Sequence, residues 1–232
     1  MYLSFFIFYF ETQSSFMSHQ NHLDQLSEIR SIMERSTRFI SLSGLSGVVA
    51  GAAALAGVYA AYRYFGMLES FYLRADKIYA DGVAGAFARD FLAFLFVDAL
   101  LVLVIAIGFG VFFTTRRAKK KGQPVWGTTS IHMLTALAIP LITGGLFCLI
   151  LLLNGNLELI LPSTLIFYGL GLVNASKYTL RDIHYLGISE IVIGLIACVY
   201  TQYGMALWAL GFGIMHIIYG AIMYFKYERN EA

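Results

Sequence analysis

The chain has 232 residues, of which 59% are hydrophobic and only 13% charged, with a mean hydropathy of +0.71. Soluble domains carry about a quarter charged residues, so this composition excludes an ordinary water-soluble globule and makes lipid the destination of the surplus apolar surface. The formal charge of +2 decides nothing, because it averages over loops on opposite sides of a bilayer.

Residues 2–10 are apolar and aromatic but too few to cross about 30 Å of hydrocarbon. They lack a basic leader and a small-residue cleavage site, so they do not read as a signal peptide. Met17 opens a polar stretch, and residues 1–16 are expected to be an upstream extension outside the fold. Over 17–38, Leu23, Leu26, Ile29, Ile32 and Met33 recur at helical spacing among Asp24, Glu28, Arg30, Glu34, Arg35 and Arg38. That pattern predicts a short amphipathic juxtamembrane helix.

Six continuously apolar runs follow, at 39–62, 91–113, 131–153, 157–175, 186–202 and 205–225. Each is long enough to cross a bilayer at 1.5 Å per residue. None shows the ten-residue alternation of a barrel strand, and lone strands cannot satisfy their backbone in lipid. The prediction is an all-α bundle of six transmembrane helices over 39–225, with a tail at 226–232.

With the N-terminus inside, the cytoplasmic basic residues are Arg30, Arg35, Arg38, Arg116, Arg117, Lys119, Lys120, Lys121, Lys177, Arg181, Lys226 and Arg229, 12 of the 16 in the chain. The other four, Arg63, Arg74, Lys77 and Arg89, share the one outer connection between the first two runs. This bias predicts both termini in the cytoplasm. Arg116, Arg117, Lys119, Lys120 and Lys121 abut a spanning run and read as topology anchors. The outer connection is long enough for an amphipathic segment resting Phe71, Tyr72, Ile78, Tyr79 and Phe87 at the interface.

In the first span Gly47 pairs with Gly51, Ala50 with Ala54, and Ala53 with Gly57 at four-residue spacing, a face that lets two backbones approach closely in lipid. It predicts a helix at the bundle centre or at a homodimer contact. Gly144, Gly145, Gly169, Gly171, Gly211, Gly213 and Gly220 mark further close approaches. Pro140 removes one backbone hydrogen bond from the third span and is expected to kink it. Cys148 and Cys198 lie inside apolar runs and read as small buried hydrophobes rather than a disulfide.

Ionisable groups within hydrocarbon are costly, so each one is a candidate for function. Asp98, Glu190 and His216 fall inside the runs, with His132, His184 and Glu158 at helix ends. Asp98 suits a proton relay or cation coordination, the structural alternative being a carboxyl that is protonated or hydrogen-bonded to a neighbouring helix. The turn at Tyr203 and Gly204 sets the helices of Glu190 and His216 side by side, where they are expected to meet each other or to join His132, His184, Asp182 and Arg181. His132, His184, Glu190 and His216 are the set from which a divalent metal site would have to be drawn, although no HxxxH or HExxH spacing is present. No P-loop, dinucleotide fingerprint or nucleophile elbow is present either, which excludes the chemistry of the soluble enzymes that use them.

The stretch Glu28-Ile29-Arg30-Ser31-Ile32-Met33-Glu34-Arg35-Ser36, running through Arg38 to Gly47, resembles the opening of a group of polytopic bacterial inner-membrane proteins found mainly in Bacteroidota. The resemblance implies a bacterial cytoplasmic membrane and carries no activity, because the group has none assigned. The resulting expectation is a six-helix inner-membrane protein that moves a small solute or proton, or serves as a partner or sensor subunit. Its partners would be the bilayer and a second copy or another membrane subunit, with no nucleic acid. No cofactor is predicted. The alternative is a membrane-embedded metal-dependent enzyme using the His and carboxylate set.

Overall fold

The computed structural model describes residues 42–76, 83–122 and 126–229. The extension at 1–16 and the juxtamembrane helix at 17–38 fall outside these residues, as does 77–82 of the long connection. Every regular element among the described residues is helical: α1 (Gly44–Asp76), α2 (Val83–Lys120), α3 (Thr128–Leu153), α4 (Ile160–Ala175), α5 (Arg181–Val199), α6 (Gly204–Trp208), a π-helical segment (Ala209–Met215) and α7 (His216–Tyr227). The last three are continuous and form one rod. Six stretches are long and apolar enough to cross a membrane, namely Gly44–Met67, Arg89–Lys120, Thr128–Leu153, Leu157–Tyr178, Arg181–Val199 and Thr201–Tyr227. This all-helical architecture is consistent with an integral membrane protein.

The helices outrun their apolar stretches. α1 continues to Asp76 and α2 begins at Val83, so most of the expected connection at 66–90 is helix rather than loop. Polar residues end a hydrophobic run without ending a helix, because glutamate, arginine and lysine have helix propensities close to that of leucine. At its other end α2 carries Arg117, Lys119 and Lys120 in its last turn, where cations oppose the partial negative charge of the helix terminus.

The spans pack in the spatial order α2, α1, sixth span, α5, α4, α3. α2 and α3, consecutive in the chain, therefore sit at opposite edges. None of the most apolar stretch of α2 is buried, and residues such as Phe96, Leu101 and Val104 face outward, as expected of a helix bathed in lipid on most sides. The core sits elsewhere, around Leu172, Leu180, Ile183, Leu186 and Met223, with Leu137, Tyr168 and Tyr219 packed against it.

Glycine sets the close approaches. A Cβ on Gly220 would lie 2.7 Å from both the Gly44 carbonyl oxygen and the Val48 nitrogen, and one on Gly47 would lie 3.3 Å from the Gly220 Cα. One on Gly51 would meet the Gly213 carbonyl oxygen at 2.5 Å. The small face of α1, with Gly47 and Gly51 on it, is thus filled by the sixth span of the same chain. Ala54 is buried, and Gly57 faces α2 at Val102 and Asp98. α4 and α5 make a second backbone-to-backbone contact through Gly169 and Gly187. Gly144 abuts Phe167, whereas its neighbour Gly145 faces open space.

α3 runs through Pro140 without interruption. Proline has no N–H to donate to the carbonyl four residues back, and that carbonyl, on Ala136, accepts a 2.9 Å hydrogen bond from the Asn174 side chain of α4. A neighbouring helix thereby supplies the donor that lipid cannot.

At the end of the bundle where α1 starts and α2 and α7 finish, the chain is clasped by polar contacts. Glu228 accepts from the Ser43 hydroxyl at 3.0 Å and from the Gly44 backbone N–H, so a carboxylate from one end of the chain caps the N-terminus of the first described helix. The Arg117 guanidinium pairs with Glu228 at 3.5 Å and donates to the carbonyls of Leu42 and Tyr227. Beside this clasp, Lys226 pairs with Asp182 at 3.2 Å, and the Tyr227 hydroxyl donates to Asp182 at 2.6 Å.

Candidate functional site

Glu190 of α5 and His216 at the start of α7 meet. Glu190 is 0% exposed and His216 only 6%, and the His216 Nδ1 lies 3.3 Å from the Glu190 Oε1. On the other side of the ring, Nε2 is 2.8 Å from the Tyr168 hydroxyl of α4. At 1.5 Å per residue, all three side chains stand roughly 14–16 Å from the nearer end of their spans, close to the middle of about 30 Å of hydrocarbon.

The proton on the imidazole can be located from its partners. Nδ1 is 3.1 Å from the Gly211 carbonyl oxygen, which only accepts, so Nδ1 carries a hydrogen. That hydrogen is aimed at Gly211, which explains why Glu190 Oε1 is close to Nδ1 yet has no hydrogen bond. Neither oxygen of the buried Glu190 carboxyl has a hydrogen-bond partner among the described residues. Native structures rarely leave a buried polar atom in that condition, and such exceptions call for a functional or structural reason.

The π-helical winding is what assembles this constellation. In an α-helix, positions 211 and 216 would be about 140° apart around the axis, whereas in π-helical winding residues five apart are hydrogen-bonding partners and lie nearly over one another. His216 can therefore reach back to the Gly211 carbonyl and face Glu190 at once. Gly211 admits the carboxyl because it has no side chain: a Cβ there would collide with Glu190 and approach Leu165 to 2.6 Å. Single π-turns inside α-helices recur at functional sites.

An aromatic ladder flanks the ring. Phe212 lies 4.9 Å from Tyr168, 5.7 Å from His216 and 4.8 Å from Trp208 between centroids. The Trp208 indole N–H donates to the Thr164 hydroxyl at 3.1 Å. On the α1 side, Gly47 lies against the His216 backbone, where an added Cβ would come within 3.3 Å of the carbonyl oxygen. Among the described residues, Glu190 and Tyr168 are the ionisable side chains in direct polar contact with the His216 ring.

No family model, curated protein or solved structure matches this chain. Its chemistry must be read from its own side chains. The other candidates lie apart from the cluster. Asp98 sits between α2 and α1, with its carboxylate against Gly57. Glu158 is exposed in a short turn before α4. His132 is exposed and stacks on Tyr178, His184 contacts the Ser176 hydroxyl at 3.3 Å, and Asp182 is engaged by Lys226 and Tyr227. Among the described residues no three His, Cys, Asp or Glu side chains converge as a metal ion would require.

Sequence reasoning singled out Glu190 and His216, and marked Gly211 as a close approach without placing it at the pair, but missed Tyr168. A usable signal for Tyr168 was its hydroxyl in the middle of an apolar run, since buried tyrosines usually find a hydrogen-bond partner. The π-helical segment left no comparable mark. Gly211 and Gly213 advertise close packing but not a change of winding.

A carboxylate and an imidazole in contact inside a low-dielectric interior can share one proton in two net-neutral arrangements, acid beside imidazole or carboxylate beside imidazolium. Both avoid the cost of an isolated charge in the membrane.

Proposed function

We propose that the protein is a transporter-like membrane protein in which Glu190 and His216 carry a proton across the middle of the bundle, alone or together with a small solute. The observation that carries this reading is the Glu190 carboxyl, fully buried, without a hydrogen bond to either oxygen among the described residues, and 3.3 Å from an imidazole nitrogen. A carboxyl with a purely structural role would be expected to use its acceptors. The bias of 12 basic residues toward one side supports both termini inside, and the resemblance of the stretch from Glu28 to Gly47 supports a bacterial cytoplasmic membrane.

Proteoliposomes loaded with a pH-sensitive dye test this. Under an imposed membrane potential, vesicles holding the wild-type protein are expected to acidify faster than empty vesicles. Glu190→Gln, which keeps the shape of the side chain and removes its proton, is expected to slow the protein-dependent part by roughly a hundredfold, the scale on which a positioned proton-transfer group acts. Wild-type vesicles no more permeable than empty ones would contradict the reading, as would a glutamine variant that conducts normally.

A further inference from the structure

At the centre of the bundle one hydrogen faces two acceptors. The His216 Nδ1 is 3.1 Å from the Gly211 carbonyl oxygen and 3.3 Å from the Glu190 Oε1, and its hydrogen is aimed at Gly211. Hydrogen bonds to an ionised acceptor are roughly twice as strong as those to a neutral one. The neutral acid therefore leaves the hydrogen with Gly211, whereas a carboxylate at the same place draws it away by a small turn of the ring.

The Gly211 carbonyl depends on that hydrogen. In π-helical winding its main-chain donor would be the N–H five residues on, which belongs to His216 and is given to the Gly213 carbonyl instead. The imidazole of the same residue stands in for it. Deprived of the Nδ1 hydrogen, the carbonyl would be unsatisfied in the middle of the bilayer, a condition that lipid does not relieve. α-helical winding relieves it, because the N–H four residues on, that of Met215, then becomes its donor.

We infer that Gly211 and Glu190 compete for the His216 hydrogen, and that the competition couples the ionisation of Glu190 to the winding of the sixth span. The segment Ala209–Met215 is π-helical while Glu190 is neutral and α-helical when it is ionised. The hydrogen stays on Nδ1 in both arrangements, and only its acceptor changes. This coupling rests on the proton-carrying reading and ties a movement to the proton. Among the described residues the titratable groups that face the ring are Glu190 from α5 and Tyr168 from α4, while α1 presents Gly47, Gly51 and Leu55 to this part of the sixth span.

A change of winding turns one half of the span against the other by roughly 100°, the angle of one residue in an α-helix. α7 is held by the backbone contacts of Gly220 with Gly44 and Val48 and by Glu228 on Ser43. α6 is held less closely, since a Cβ on Gly204 would find its nearest neighbour, Leu161 Cδ1, at 4.0 Å. The half that turns is therefore α6. Trp208, whose indole N–H donates to the Thr164 hydroxyl at 3.1 Å, turns with it and leaves that partner.

The chain has two tryptophans, and Trp126, before α3, is 73% exposed, so Trp126→Phe leaves Trp208 as a single indole to report. Its nitrogen resonance is followed in the full-length protein in bilayers at equilibrium, where no particular route of the proton to Glu190 matters. In the Trp126→Phe protein the resonance is expected to move between a hydrogen-bonded position at acid pH and a position without Thr164 at alkaline pH. Adding Glu190→Leu removes the competing acceptor and is expected to hold it at the acid position at every pH. Adding His216→Phe removes the donor and is expected to hold it at the alkaline position. A resonance that ignores pH in the Trp126→Phe protein, or one moved to the same position by both added substitutions, would overturn the coupling. The vesicle assay reads proton carriage separately. Conduction with a resonance that ignores pH removes the coupling alone, and a moving resonance without conduction removes the carriage and leaves the coupling in place.

Discussion

Gly220→Leu is expected to leave little folded protein. The position has no room on the α1 side, because a single added carbon already comes within 2.7 Å of backbone atoms of Gly44 and Val48, and backbone cannot swing aside as a side-chain tip can. The two helices would have to part. Separation forfeits the contacts of Gly47 and Gly51 with the sixth span, and it pulls Ser43 and Gly44 away from Glu228. Overpacking alone typically costs about 1–3 kcal/mol, and the lost contacts add to it. The matched control is Gly108→Leu, because Gly108 on α2 faces open space and a substitution there is expected to change stability by less than about 0.5 kcal/mol. Thermal unfolding and yield of monodisperse protein distinguish the two. Equal behaviour of the two variants would mean that α1 and the sixth span do not pack as described.

Arg117→Ala is expected to loosen the end of the bundle by about 3 kcal/mol, the lower end of the cost of stranding one member of a buried ion pair. Arg117 and Glu228 are 8% and 12% exposed, so water offers limited compensation. The guanidinium also bonds two main-chain carbonyls on different segments, Leu42 and Tyr227. Arg117→Lys keeps the charge but not the planar fork, and is expected to recover only part of the loss. The double variant with Glu228→Gln should lose less than the sum of the single changes, because the stranded carboxylate is then neutral. Stability of Arg117→Ala within about 0.5 kcal/mol of wild type would show the clasp to be incidental.

The number, type and approximate position of the spans were legible because lipid imposes one requirement on every one of them: a continuous apolar surface about twenty residues long. Their ends were less so. The run ending near Tyr62 stops where the hydropathy falls, but α1 continues to Asp76, since helix propensity does not fall with it. The glycine face at Gly47 and Gly51 was legible as a close contact, whereas its partner was not: a pattern of small residues states that something approaches and not which helix does. The sixth span fills it.

The candidate site divides in the same way. Glu190 and His216 stood out because charge in hydrocarbon is rare, and adjacency of their spans was implied by the tight turn between them. Asp98 stood out equally by composition, yet it lies between α1 and α2 rather than with the pair. Burial of a charge says that a partner is needed, and only the packing order of the helices says where it stands. Arg117, read as a topology anchor, also ties three segments together, because the apolar stem of arginine lets its head reach back to main-chain carbonyls.

The most direct test of the central claim is solid-state nitrogen NMR of histidine-labelled protein in bilayers, with His216 assigned by its absence in His216→Asn. The structure predicts a hydrogen on Nδ1, bonded to the Gly211 carbonyl, and a ring spectrum that shifts when Glu190 becomes glutamine, because the carboxyl oxygen lies 3.3 Å from that nitrogen. A bare Nδ1, or a His216 spectrum indifferent to the Glu190→Gln change, would contradict it.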